Sequence, residues 1–122
     1  MHHTPYASAL KDQALACPAC SGPLALDGER WPCQRCDGVF VETSALEQMM
    51  AEMRGVPWQM PSNGSAGTRA CPACKQAMAV HRLDGIEVDR CAMHGVWFDS
   101  GELAYALHGK PPEKSWLRRL IG

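Results

Sequence analysis

The sequence predicts a small, metal-stabilised α+β fold built twice over, each half a β-hairpin with a third strand and a short following helix. Three observations carry that expectation. Seven cysteines and one histidine fall into two grids of four, Cys17, Cys20, Cys33 and Cys36, then Cys71, Cys74, Cys91 and His94. Each grid holds two close pairs, separated by 12 residues in the first and 16 in the second. A two-residue gap lets one tight turn aim both side chains at a single tetrahedral ion. Secondly, the segment from Cys17 to Met50 lies over that from Cys71 to Leu107 well beyond the cysteines. Thirdly, two Phe, two Tyr and four Trp are few aromatics for one core in 122 residues, while 11 Gly and 9 Pro punctuate the chain. Units of this size bury too little surface to fold unaided and usually lean on a metal or disulfides.

Residues 1–16 read as an N-terminal segment with a short helix across Ala7–Leu15. Residues 17–55 form the first unit. Cys-Pro-Ala-Cys opens it, and Leu24 and Asp27-Gly28 follow, the latter a two-residue hairpin signal. After the second cysteine pair, Gly38-Val39-Phe40-Val41-Glu42 reads as a strand. Ser44 with Glu47 has the form of a capping box, and Leu46, Met49, Met50 and Met53 keep helical spacing until Gly55 and Pro57. That methionine stripe reads either as core against Trp58 and the other unit or as a soft partner surface. Residues 56–70 have the Gly, Pro and Ser content of a linker, with Trp58 and Met60 packing on a neighbour and Pro61–Gly67 mobile.

Residues 71–109 repeat the plan. Met78 stands where Leu24 does, Asp84-Gly85 turns between Val80 and the pair Ile86 and Val88, and Gly95-Val96-Trp97-Phe98-Asp99 matches the earlier strand. Trp97 and Phe98 alternate, so one packs toward the metal and the other toward the helix. Asp99 with Glu102 reads as a helix cap before Leu103, Ala106 and Leu107, and Gly109 and Pro111 end the element. Gly38 and Gly95 are expected to let the backbone pass close to the metal. Residues 110–122 form a C-terminal amphipathic tail, with Trp116, Leu117, Leu120 and Ile121 around Arg118 and Arg119. Two separate metal-nucleated units are expected, each able to stand without the other.

The Cys-Pro-x-Cys knuckles, the hairpins, and the run from Val88 to Leu103 with its following helix resemble the small bacterial zinc-ribbon proteins grouped by similarity to the zinc ribbon of transcription factor IIB. The resemblance covers about 17–50 and 71–108, more closely in the second copy. It implies two tandem zinc ribbons, with structural zinc at Cys71, Cys74, Cys91 and His94 and at Cys17, Cys20, Cys33 and Cys36. The first copy departs at Asp37, Phe40 and Ala45, where the family prefers glycine, tryptophan and glutamate. The family's name points to transcription, but a shared fold does not fix a function.

Two Zn²⁺ ions are therefore the expected cofactors. The first grid read alone also suits a redox dithiol pair or a rubredoxin-like iron, but a histidine in the second favours zinc. His81 and His108 are the alternatives to His94 as fourth ligand. His81 lies mid-strand, and a histidine at a helix end, as His108 is, commonly serves the helix dipole. Backbone N–H groups of Ala19 and Ala73 should donate to the thiolates.

Formal net charge is −1, from 12 basic and 13 acidic residues. Seven thiolates and two Zn²⁺ shift it to about −4, because ligating thiols are deprotonated. That balance suits nucleic acid poorly, since such binding relies on neutralising phosphates. The start, Met1 to Tyr6, shows no charged region before an apolar core, so no signal peptide is expected. Nothing is long and apolar enough to span a membrane, and free thiols suit a reducing cytoplasm. No nucleophile–base pair, phosphate loop or paired carboxylates stand out, so no catalytic residue and no enzyme are expected. The sequence thus points to a zinc-binding adaptor with a protein partner or a second copy of itself. Its alternatives are a nucleic-acid-associated transcriptional regulator, using Trp97, Arg82, Arg90 and Lys75, and a thiol/zinc redox switch.

Overall fold

A computed structural model of the chain describes residues 13–62 and 64–108. Its elements run β1 (Arg30–Pro32), β2 (Val39–Glu42), α1 (Thr43–Arg54), β3 (Ser65–Ala70), β4 (Ala77–Leu83), β5 (Ile86–Cys91), β6 (Gly95–Phe98) and α2 (Glu102–His108). The expected order of knuckle, hairpin, strand and helix therefore occurs in both halves. The C-terminal tail lies outside the described residues, as does most of the helix expected across Ala7–Leu15. The described end of the latter, Gln13–Leu15, is not helical, and Leu15 is buried.

Turn chemistry sets the hairpins. At Asp84-Gly85 both residues take positive φ, 50° and 91°, as a type I′ turn requires, and Leu83 pairs with Ile86 across it. The first hairpin turns one residue later than its Asp-Gly suggests. Asp27 and Arg30 exchange backbone hydrogen bonds of 2.8 and 3.1 Å, leaving Gly28-Glu29 as the loop, with positive φ only at Gly28. Glycine at the first central position is the type II′ pattern.

The two halves are not separate bodies. All six strands form one antiparallel sheet in the order β1-β2-β6-β5-β4-β3. The halves join where β2 pairs with β6, in the register Val39↔Phe98, Phe40↔Trp97, Val41↔Val96 and Glu42↔Gly95. Phe40 and Trp97 hold corresponding places in the two copies, so the seam is centred on a pair of equivalent residues. It has the self-complementary form of a two-fold contact between like surfaces. The expectation of independent units gives way to this seam. Each third strand has an unpaired edge whose N–H and C=O groups need partners, and the other copy supplies them.

Side chains alternate across the sheet and build two cores. On one face Val41, Val88, Val96 and Phe98 meet Leu46 and Met50 of α1 and Leu103 and Ala106 of α2. On the other, Trp31, Phe40, Trp97 and Met78 meet Leu15, Cys17, Cys33 and Cys71. Trp97 therefore faces the knuckles and Phe98 the helices, which is the expected division. Leu46 and Met50 make the methionine stripe mainly core, while Met49 is half-buried and Met53 is 49% exposed.

Two local expectations fail. Ser44 and Glu47 form no capping box: α1 starts after Glu42 without a side-chain cap, and Glu47 Oε2 instead accepts the Met60 N–H at 3.0 Å. That bond ties the linker to the helix and helps to bury Met60. The stretch read as mobile, Pro61–Gly67, runs into β3, an edge strand paired to β4 at Ser65↔Val80, Ala66↔Ala79 and Ala70↔Ala77, with a shift of register between. A Cβ at Gly67 would meet the Met78 carbonyl oxygen at 2.5 Å, so glycine is needed at that irregularity. Gly55 ends α1 as expected, at φ 74° with its N–H on the Ala51 carbonyl.

Truncating a fully buried seam aromatic should cost the whole fold. Phe40→Ala is expected to destabilise the zinc-loaded protein by about 3–5 kcal/mol in a single transition, whereas Met53→Ala should change stability by less than about 0.5 kcal/mol. Urea denaturation followed by circular dichroism checks both.

Candidate metal centres

The first centre starts from a knuckle that closes on itself. Cys17 N–H donates to the Gly22 carbonyl at 2.7 Å and Ser21 N–H to the Cys17 carbonyl at 2.9 Å, which folds Cys17–Gly22 into a tight loop. The second repeats this, Cys71 N–H bonding the Gln76 carbonyl and Lys75 N–H the Cys71 carbonyl, both at 2.8 Å. Ser21 and Lys75 adopt left-handed φ of 67° and 68° at the matching corner. The partner knuckles arrive on the hairpin's return strand, Cys33 and Cys36 just past β1, Cys91 and His94 at the end of β5.

The knuckles bring together Cys17, Cys20, Cys33 and Cys36, and separately Cys71, Cys74, Cys91 and His94, with one ligand atom each, all within 4.8 Å of one another in each group. Cys17 and Cys36 Sγ lie 3.6 Å apart, Cys20 and Cys33 Sγ 3.5 Å, and Cys74 and Cys91 Sγ 3.8 Å. A disulfide would need about 2.05 Å. Sulfurs about 2.3 Å from a tetrahedral zinc sit about 3.8 Å apart, so the donor sets fit that ion. His94 turns Nδ1 inward, 3.5 Å from Cys91 Sγ and 3.8 Å from Cys71 Sγ. These are two structural zinc sites, one of four cysteines and one of three cysteines and a histidine.

His81 is not in either group. It pairs with Val88 on the helix-facing side of the sheet, where burial, then the Arg90 charge, hold its pKa below the usual histidine range. His108 is the last residue of α2 and also lies apart from both groups.

Backbone donors surround the sulfurs as expected. Ala19 and Cys20 N–H groups reach Cys17 Sγ at 3.3 Å, Arg35 N–H reaches Cys33 Sγ at 3.4 Å, and Ala73 N–H reaches Cys71 Sγ at 3.4 Å. Such donors stabilise thiolate charge. They compete with desolvation, and the outcome differs by position. Burial pushes Cys17 and Cys71 up to about 12 and also raises Cys36. At Cys33 burial also acts upward, but N–H groups of Cys36 and Arg35 with the neighbouring thiols outweigh it and bring the group to about 7. The Gln76 N–H leads in lowering Cys74.

Gly38 and Gly95 serve the seam rather than the metal. A Cβ at Gly38 would land on the Trp97 indole, and one at Gly95 on the Val41 carbonyl oxygen. Each glycine, at the exit of one copy's knuckle, makes room for the other copy.

A brace that the spacing gave no sign of lies beside Trp97. The Arg69 guanidinium on β3 donates to Asp89 at 3.2 Å and to both oxygens of Asp99 at 2.9 and 3.0 Å, and the Trp97 Nε1–H donates to Asp99 at 3.2 Å. Burial raises Asp89 above the usual carboxylate range despite Arg69. The brace ties the edge strand to the seam tryptophan. Its members stand at 69, 89 and 99, far apart in sequence, and only the pairing of β3, β4, β5 and β6 collects them.

Residues 70–108 match the model of a family described as "Transcription factor zinc-finger". No curated protein and no solved structure matches the chain. The second centre thus falls within the matched residues, and the four-cysteine centre at 17–36 is a further site of similar build.

Elemental analysis should find about two zinc per chain. Loading must displace at least the protons of Cys17 and Cys36 at the first centre, whose raised pKa values keep them as thiols at neutral pH. Each displaced proton makes affinity fall about tenfold per pH unit on acidification. Chelator competition between pH 7.5 and 6 should therefore show the first centre weakening by about 100-fold or more per unit. A pH-independent affinity would contradict the assignment of these thiols as ligands.

Proposed function

We propose that this protein is a non-catalytic zinc-ribbon adaptor that binds a protein partner through the outer face of its helix layer. The observation that carries the reading is the apolar surface left at the end of α1 and just past its Gly55 cap. Met53 is 49% and Val56 57% exposed. Met53 lines a shallow groove of about 290 Å³ with Arg30, Met49, Glu52, Leu107 and His108. Methionines adapt to varied apolar shapes, and exposed apolar surface rimmed by charge is characteristic of protein-binding sites.

The metal centres support a structural role. Four protein donors complete a tetrahedral shell and leave no position for water or substrate, as hydrolytic zinc needs. Free thiols in number suit a reducing compartment such as the cytoplasm. No helix among the described residues is long and apolar enough to cross a membrane.

The geometry gives less support to a nucleic-acid regulator. Its aromatic, Trp97, is wholly buried, so no base can stack on it. The cations of that reading already hold partners, Arg82 with Glu87 at 3.3 Å, Arg90 with the Pro61 carbonyl at 2.6 Å and Lys75 with the Pro72 carbonyl at 3.0 Å, and Arg90, opposite Val96, lies on the other face of the sheet from Trp97.

Affinity capture from the native cell, then titration of the recovered partner, tests the proposal. The double variant Met53→Asp/Val56→Asp should bind at least about tenfold more weakly, as loss of an apolar anchor does, with zinc content and melting temperature unchanged. Undiminished partner binding by that variant, together with salt-sensitive binding of duplex or single-stranded nucleic acid, would transfer the reading to the regulator.

A further inference from the structure

We propose that the two metal centres load cooperatively, occupation of either raising the affinity of the other, because each knuckle delivers one strand of the single seam that joins them. The inference rests on both centres taking zinc, which total zinc content tests separately.

The distances along the chain are short. Cys36 is two residues before Gly38, and β2 begins at Val39. Cys33 N–H donates to the Gly38 carbonyl at 2.8 Å, so the ligand loop and the approach to the strand are one hydrogen-bonded turn. His94 directly precedes Gly95, the first residue of β6, and its N–H donates to the Cys91 carbonyl at 3.2 Å. An ion that fixes His94 fixes the start of β6. An ion that fixes Cys33 and Cys36 fixes the approach to β2.

Those strands then have no slack between them. Gly95 pairs with Glu42 and Gly38 lies under the Trp97 ring, both without room for a Cβ. Phe40 and Trp97, fully buried and paired, belong to the same cluster as Cys17, Cys33 and Cys71. An ordered β6 therefore presents Trp97 to the floor of the first centre, and an ordered β2 presents Phe40 to that of the second. Where one centre lacks its ion, its knuckle and strand must be ordered at the expense of the other ion's binding energy. Coupling of this kind is reciprocal by thermodynamic necessity. Zinc binding to such units is also folding, so a shared folding step is a shared binding step.

Two measurements on the full chain test this. In chelator competition, Cys71→Ser/Cys74→Ser should weaken zinc binding at the first centre by about 10–100-fold, and Cys17→Ser/Cys20→Ser should weaken the second by the same factor. A remaining centre within about twofold of its affinity in the unaltered protein would overturn the proposal. Because serine variants can fail for other reasons, native mass spectrometry of the unaltered chain at half-saturating zinc provides the second arm. Coupling of 10–100-fold between sites of equal intrinsic affinity leaves about 10–25% of molecules with one ion. A one-zinc population equal to that calculated for independent sites from the two affinities measured in the serine variants would also overturn it.

Discussion

The antiparallel pairing of β2 with β6 is the constraint on which the rest of this structure depends. Each strand is four residues long, too short to be a stable ribbon with its hairpin alone. Pairing turns a two-stranded piece, β1 and β2, and a four-stranded piece, β3 to β6, into one sheet with two usable faces. The helices then pack together on one face, α1 from the first half against α2 from the second, and make a core neither half could close alone. The knuckles occupy the other face, where sulfur and aromatic side chains complete a second core.

That arrangement explains the glycines and aromatics of the third strands together. A large residue at Trp97 needs a hole opposite, and Gly38 is the hole. Phe40, the smaller ring, sits opposite Trp97 and close to Gly95, where a Cβ would come 3.0 Å from its edge. The departure of the first copy from the family pattern at Phe40 thus falls at the centre of the seam. Two indoles related by a dyad at this point would need more volume than two buried positions flanked by glycine provide, given that cores are packed near crystal density. The asymmetry between the copies is therefore readable as a packing solution.

The gathering of the seven cysteines and His94 into two groups of four was legible in the sequence, because a tetrahedral ion imposes local spacing, and local spacing is what a sequence displays. So were α1, α2 and the positive-φ turn at Asp84-Gly85. What escaped were the features made by pairing at long range. β3 has no apolar period in Ser-Ala-Gly-Thr-Arg-Ala and exists as a strand because β4 offers it an edge. The seam itself uses strands whose pattern says that both faces are buried but not by what. Glu47 satisfies the capping-box pattern, yet the tertiary position of Met60 takes its carboxylate. The Arg69–Asp89–Asp99 brace combines residues that no spacing rule connects.

The division of labour between the faces bears on function. Interior positions beside the sulfurs are filled by Trp97, Phe40 and Trp31, so among the described residues the metal face uses these aromatics for packing rather than for stacking a ligand. Aliphatic side chains are left over instead, Met53 on α1, Val56 just past it, Leu26 before the first turn and Met93 in the second knuckle. A fold whose stability comes from sulfur–metal bonds can leave such residues outside, since their burial is not needed to hold it together. Met53 sits on α1 and Val56 just past its cap, both in the first half, whereas the family match falls in the second. Exposed apolar side chains are thus not confined to one half, since Met93, within the matched residues, stands out beside the second centre while β6, just past it, completes the seam.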